Sequence, residues 1–209
     1  MNNDRLNAVA DMVPTNSFIL DVGCDHAYLP IILIKSGKCK KAYASDISVN
    51  AISNAKENIL HYNLTDKIDL FCTDGINHIP KDYDTLIICG MGTKTIKSIL
   101  DGQNLPSIII LCSNNDHYEL RKYMQKIGFK IDSEIVVFDK GKYYPIIRYI
   151  PGKDKLLEEE LYFGKGNNKK YLHFLERKYK EILQNMPGTK DTTISKRLQL
   201  VQKLLKKLG

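Results

Sequence analysis

Between residues 18 and 128, short unbroken apolar runs alternate with stretches of helical spacing. The apolar runs are 18–22, 41–46, 67–72, 83–89 and 107–112, and the helical stretches are 29–36, 49–62, 93–100 and 118–127. A strand that is apolar at successive positions must be covered on both faces. Strands joined through helices run parallel, because only a crossover returns the chain to the same end of the sheet. This pattern alone confines the region to an α/β fold with a buried parallel sheet.

The flanks complete the outline. Leu6, Val9, Met12 and Val13 form one helical stripe over 4–13, which Pro14 ends. In the helix over 49–62, Ile52, Ala55, Ile59 and Leu60 are expected on the apolar side. After Gly128 two strands, 130–138 and 143–150, are separated only by Asp139-Lys140-Gly141-Lys142. So short a link makes an antiparallel hairpin. The expectation for residues 1–151 is five parallel strands closed by that hairpin.

Pro151-Gly152 marks a boundary, and 152–209 reads as a separate all-α tail. Leu172, Leu175, Tyr179, Ile182 and Met186 form one heptad-like stripe; Ile194, Leu198, Val201, Leu205 and Leu208 form another. With Pro187-Gly188 between them, the two predict an antiparallel, coiled-coil-like helical hairpin. Such a hairpin packs within one chain or between two; a monomer is expected, with a dimer through the tail left open.

Charge separates the same two regions. Residues 1–150 hold 17 basic and 17 acidic side chains, whereas 151–209 hold 14 and 7, so the net +7 lies entirely in the tail. A neutral module beside a basic one suggests a polyanionic partner, RNA or DNA first. The expected contacts are Lys169, Lys170, Arg177 and Lys178 on the first tail helix, and Lys196, Arg197, Lys203, Lys206 and Lys207 on the second. A solvated face is the plain alternative, since 26 of the 31 basic residues are Lys. The five cysteines have no disulfide or zinc-ligand spacing, which points to a reducing, cytoplasmic compartment and no metal. No apolar run is long enough to span a bilayer, and no membrane partner is expected.

The chemistry concentrates at strand ends. Leu20-Asp21-Val22-Gly23-Cys24-Asp25-His26 is a strand running into a glycine turn, which brings backbone N–H groups near a ligand. A dinucleotide turn would place glycines where Asp25 and Tyr28 stand, and a carboxylate there repels phosphate. The turn therefore suits S-adenosylmethionine, whose amino group and sulfonium are positive. Asp46 ends the next strand, where an acid accepts ribose hydroxyls, with Ile47 beside it. Asp74-Gly75 and Gly90-Met91-Gly92 follow the third and fourth strands. Arg5, on the first helix, is a candidate to reach the cofactor carboxylate or RNA, with a solvated helix residue as the alternative. Asp25, His26, Tyr28 and Asn114 are the catalytic candidates, His26 as a base and Asn114 as a contact to the target base, each with a loop-holding or packing role as the alternative.

Residues 21–31, Asp-Val-Gly-Cys-Asp-His-Ala-Tyr-Leu-Pro-Ile, closely resemble the D-[IV]-G-[TS]-D-H-A-Y-L-P-I signature of the bacterial tRNA (adenine-22-N1)-methyltransferases of the TrmK family. Arg5-Leu6, Asp74-Gly75, Cys89-Gly90-Met91-Gly92, Leu120-Arg121-Lys122, Gly141-Lys142-Tyr143-Tyr144 and Leu161-Tyr162-Phe163-Gly164 resemble further family segments in order. The chain departs from the usual residues at Cys24, at Thr93 (usually Gly), at Cys112-Ser113 (usually Gln-Pro) and at Pro145. The resemblance implies the class I, Rossmann-like methyltransferase fold, S-adenosylmethionine as cofactor, and methylation of N1 of adenosine 22 in tRNA. Adenine N1 has a free lone pair, so alignment is required more than a strong base. It lies on the pairing edge, so the base must be unpaired or turned out. Another RNA position, a protein or a small molecule is the alternative substrate.

Overall fold

The computed structural model describes residues 4–166, 168–185 and 192–208. Strands β1 (Ser17–Val22), β2 (Cys39–Asp46), β3 (Ile68–Cys72), β4 (Thr85–Cys89) and β5 (Ile108–Cys112) pair in parallel. They are interleaved with α2 (Tyr28–Lys35), α3 (Val49–His61) and α4 (Thr93–Leu100), and preceded by α1 (Asp4–Met12). Helix α5 (His117–Lys126) then leads into β6 (Phe129–Asp139) and β7 (Lys142–Pro151). The sheet order is β3-β2-β1-β4-β5-β7-β6: five parallel strands closed by a hairpin, as expected, with an order of strands that only the structure supplies.

Neighbouring apolar residues explain why the strands had to be continuous. Ile19, Ile87 and Ile110 enter a core with α1, α2 and α3, while their successors Leu20, Ile88 and Leu111 enter a second core with α4 and α5. Side chains alternate between faces, so a strand buried on both needs apolar residues at both parities. Only β7 opposes the rest, being antiparallel to both β5 and β6. The connection is tighter than four residues: Asp139 pairs with Lys142, and only Lys140 and Gly141 turn the chain. Both have positive φ, 47° and 81°, the two-residue turn whose twist matches the hairpin's strands.

Two details differ from the sequence reading. Leu60 is 52% exposed, because the buried row of α3 is Ala51, Ala55 and Ile59, spaced by four, and Leu60 lies past its edge. A short helix, α6 (Glu158–Phe163), opens the tail ahead of the two expected helices. Its three glutamates hide any stripe, and the Glu160 carboxylate accepts the Leu157 N–H at 2.7 Å to start it.

The tail helices are α7 (Lys169–Gln184) and α8 (Thr192–Lys207). Leu172, Leu175, Tyr179 and Val201 are buried in a third cluster, which also takes in Val136 and Tyr143 of the β6–β7 hairpin. The expected bend at Met186, Pro187 and Gly188 lies outside the described residues. An ion pair between fully buried Arg121 and Glu134 ties α5 to β6. Arg121 also donates to the Leu161 carbonyl at 3.0 Å, and Glu134 accepts the Lys165 N–H at 3.1 Å. Among the described residues no helix is long and apolar enough to cross a membrane.

Candidate active site

Strand order reverses between β1 and β4, and in open α/β sheets a ligand crevice opens at the carboxyl ends of the strands there. A cleft of about 400 Å³ sits at that point. Asp21, Gly23 and Cys24 form its floor, Asp25, His26 and Tyr28 one wall, and Cys89 and Gly90 another. Helix α1 closes it with Arg5, Leu6 and Val9. Leu6, Val9 and Cys89 were not singled out from the sequence. Val9 reads only as core stripe; Leu6 and Cys89 fall within segments that resemble the family but carry no expected contact of their own.

The turn after β1 is shaped by unusual backbone. Gly23 has φ +77°, and a Cβ there would run into the Met91 methyl, so glycine allows the β4 loop to lie over the turn. Asp25 and Ala27 also take left-handed conformations (φ 49° and 56°), which cost energy outside glycine and are held by the surroundings. The Ala27 N–H donates to the Cys24 carbonyl at 2.7 Å, and Asn58 Nδ2 to the His26 carbonyl at 3.0 Å. The amides expected to face a ligand are turned elsewhere. The N–H groups of Gly23 and Cys24 donate to the Ser45 carbonyl at 2.8 and 3.0 Å, joining β1 to β2. The glycine turn therefore offers an acidic floor rather than an amide cradle.

Two carboxylates set the electrostatics. Asp46 accepts the Asp25 N–H on Oδ2 at 3.2 Å and the Ser48 N–H on Oδ1 at 2.9 Å, which fixes its plane at the end of β2. Asp21 is 5% exposed, and burial, then the nearby Asp46 charge, raises its pKa to about 7. A buried acid held near neutrality in this way gains from a cationic ligand. Burial and the Asp21 charge likewise push the Cys24 thiol up. Across the cleft, the Arg5 guanidinium lies 4.7 Å above the Tyr144 ring centre. His26 stacks on Tyr28, with centroids 5.3 Å apart, and its Nε2 is 3.7 Å from the Asp25 carboxylate.

The remaining residues expected at the cofactor form a ledge beyond Asp46. Ile47 is 70% exposed, as an apolar cover for a flat ring would be. The Thr73 N–H donates to the Asp46 carbonyl, and Ser45 Oγ to the Gly75 carbonyl, so Asp74-Gly75 sits beside β2 on the rim rather than in the floor. On the other side, Asn114 Nδ2 donates to the Gly90 carbonyl at 2.5 Å and the Asn114 N–H to the Met91 carbonyl at 2.9 Å. Gly92 precedes α4, and the Thr93 N–H that follows it donates to Asn115 Oδ1 at 3.1 Å. Two departures from the family's usual residues meet here: the buried Thr93 and Ser113 hydroxyls are 2.9 Å apart and both lie within hydrogen-bond reach of the Asn115 carbonyl, at 2.7 and 2.8 Å. With one proton each, one hydroxyl donates to the carbonyl and the other to its neighbour's oxygen, which joins the loop after β5 to the start of α4.

An acid-floored cleft at the reversal point of a 3-2-1-4-5-7-6 sheet defines a class I, Rossmann-like methyltransferase, and the methyltransferase-domain family model matches residues 2–147. The structure of Mycoplasma capricolum TrmK with S-adenosyl-homocysteine is 31% identical, covers 99% of this chain and 98% of its own, and superposes with a TM-score of 0.88. The chain belongs to the TrmK family. The Streptococcus pneumoniae protein Sp1610, in complex with S-adenosyl-L-methionine, is 27% identical over 98% of this chain and 100% of its own, with a TM-score of 0.90. The tRNA (adenine(22)-N(1))-methyltransferase of Bacillus subtilis strain 168 is 29% identical over 148 residues, 68% of this chain. That alignment spans 62% of the Bacillus protein's length, just under two thirds.

Proposed function

We propose that this chain transfers a methyl group from S-adenosylmethionine to N1 of adenosine 22 in tRNA. The observation that carries the reading is the pairing, in one cleft, of the buried acid Asp21 with Arg5. That donor set fits a ligand end bearing both a cation and a carboxylate, as the methionine part of S-adenosylmethionine does. The cofactor supplies a methyl group on a positively charged sulfur when bound. Asp21, with Asp25 beside it, favours the positive end and Arg5 the carboxylate. Asp46, its plane fixed by two amides, suits a pair of ribose hydroxyls. Ile47 covers the adenine, and Asp74-Gly75 borders its amino edge.

Position 22 and tRNA come from family membership and from the activity named for the Bacillus relative. Adenine N1 needs no proton removed before it attacks, so the task left to the residues is positioning. The His26–Tyr28 stack and Asn114, held to the Gly90 carbonyl, flank the entrance where a turned-out base must enter. In this reading residues 1–151 bind cofactor and 152–209 dock RNA, with a monomer acting in the cytoplasm. Exposed Lys169, Lys170, Arg177, Lys178, Lys203 and Lys206 and half-buried Arg197 would meet phosphates, which position RNA without reading its sequence. Lys196 and Lys207 pair with Glu158 and Glu159 of α6 at 2.5 and 3.8 Å, so both would have to exchange those partners for phosphate.

The test is methyl transfer from labelled S-adenosylmethionine to an unmodified tRNA transcript with adenosine at 22, beside one with guanosine there, followed by nucleoside mass spectrometry. 1-Methyladenosine in the first transcript alone is expected. No transfer to either, with cofactor binding intact, would refute the RNA reading.

A further inference from the structure

A second concavity, of about 430 Å³, lies between the loop after β5, the β6–β7 hairpin and the two tail helices. Its walls are rings: Tyr118 stacks on Tyr162 with centroids 4.4 Å apart, and Tyr143 lies 5.0 Å from Phe174. All four are half-buried, so part of each remains open. Lys142 and Lys178 stand exposed at the rim, and the Arg197 guanidinium lies 4.9 Å over the Tyr162 ring. Among the described lining residues Asp116 is the one acid.

Two nitrogens in this groove, His117 Nε2 and Arg197 Nε, are buried without a hydrogen-bond partner. Unpaired buried polar atoms are costly and uncommon, which suggests a ligand that completes them. Burial and the Arg121 charge lower the His117 pKa to about 4, so its ring is neutral at physiological pH. The groove also adjoins the cofactor cleft. Asn114 lines it and bonds to Gly90, a wall of that cleft.

We propose that this groove holds an unpaired nucleotide of the RNA substrate that flanks the methylated one. Its base stacks among Tyr118, Tyr143 and Phe174, its edge meets His117 Nε2, and its phosphate meets Lys142 and Lys178. The proposal rests on the tRNA reading above. Turning out a paired adenosine unstacks its neighbours, and aromatic platforms with flanking cations capture bases freed in this way.

The test uses the full chain and tRNA transcripts carrying 2-aminopurine on either side of position 22. Binding of the wild-type protein is expected to quench one of the two probes. Tyr118→Leu is expected to abolish that quenching and raise KM for tRNA at least about fivefold, the low end of one lost base–aromatic stack. Its affinity for S-adenosylmethionine stays that of the wild type, and its melting temperature falls only by the few degrees that loss of the Tyr118–Tyr162 stack, about 1 kcal/mol, accounts for. Lys142→Glu, at the exposed first position of β7, is expected to lower the salt slope of binding by about one. A wild type that methylates tRNA while both variants match it in quenching, KM and slope overturns the groove assignment alone. A wild type that transfers no methyl group to tRNA overturns the reading beneath it.

Discussion

Asp21→Asn should separate folding stability from cofactor binding. Asp21 has an unperturbed value of 3.8 and a folded value of about 7. The folded chain therefore holds a proton that the unfolded chain has released. Stability falls as pH rises from about 4 to about 7 and stays reduced above that. From the two values, the penalty is about 2 kcal/mol at pH 5 and about 4 kcal/mol at pH 8. Asparagine is neutral at every pH and keeps the shape, so the variant escapes this penalty. The expected signature is a melting-temperature difference, variant minus wild type, that widens between pH 5 and pH 8 by roughly 5–10 °C, taking about 2–4 °C per kcal/mol for a chain this long. Differential scanning fluorimetry without cofactor at both pH values measures it. Calorimetry with S-adenosylmethionine at pH 8 should show weakened binding by the same variant. A difference that does not change with pH would refute the claim that Asp21 carries a buried, unfavourable charge.

Three further outcomes are expected. Asp46→Ala should weaken S-adenosylmethionine binding by about tenfold or more, as loss of a charge-assisted hydrogen-bond acceptor does; unchanged affinity by calorimetry removes Asp46 from the cofactor site. Charge reversal to Glu at Lys203, Lys206 and Lys207 should weaken tRNA binding and flatten its log–log salt dependence by up to about three; an unchanged slope means that RNA docks elsewhere. Arg121→Met strands the buried Glu134 carboxylate and frees the Leu161 carbonyl, so urea unfolding should show a loss of about 3–5 kcal/mol. A loss below about 1 kcal/mol would show that water reaches the pair.

Much of this architecture is written locally. Sheet, hairpin and tail helices follow from apolar runs, a short link and two stripes, because periodicity records how many faces of an element are buried. The acids at Asp21, Asp46 and Asp74 were legible because strand ends in such a sheet share one edge. Helix α6 was not legible, since its position depends on a glutamate cap and on packing rather than on a stripe.

What the sequence alone determined is the fold class, the edge that carries the site and the concentration of positive charge in the tail. Only the tertiary structure decided that the glycine-turn amides bind Ser45 and leave an acid as the cleft floor. It alone joined Thr93 to Ser113, and Tyr118 to Tyr162. It also set two of the tail's cations against α6. Spacing along the chain reports which face a residue occupies, whereas hydrogen-bond partners and burial depend on elements distant in sequence that meet only on folding.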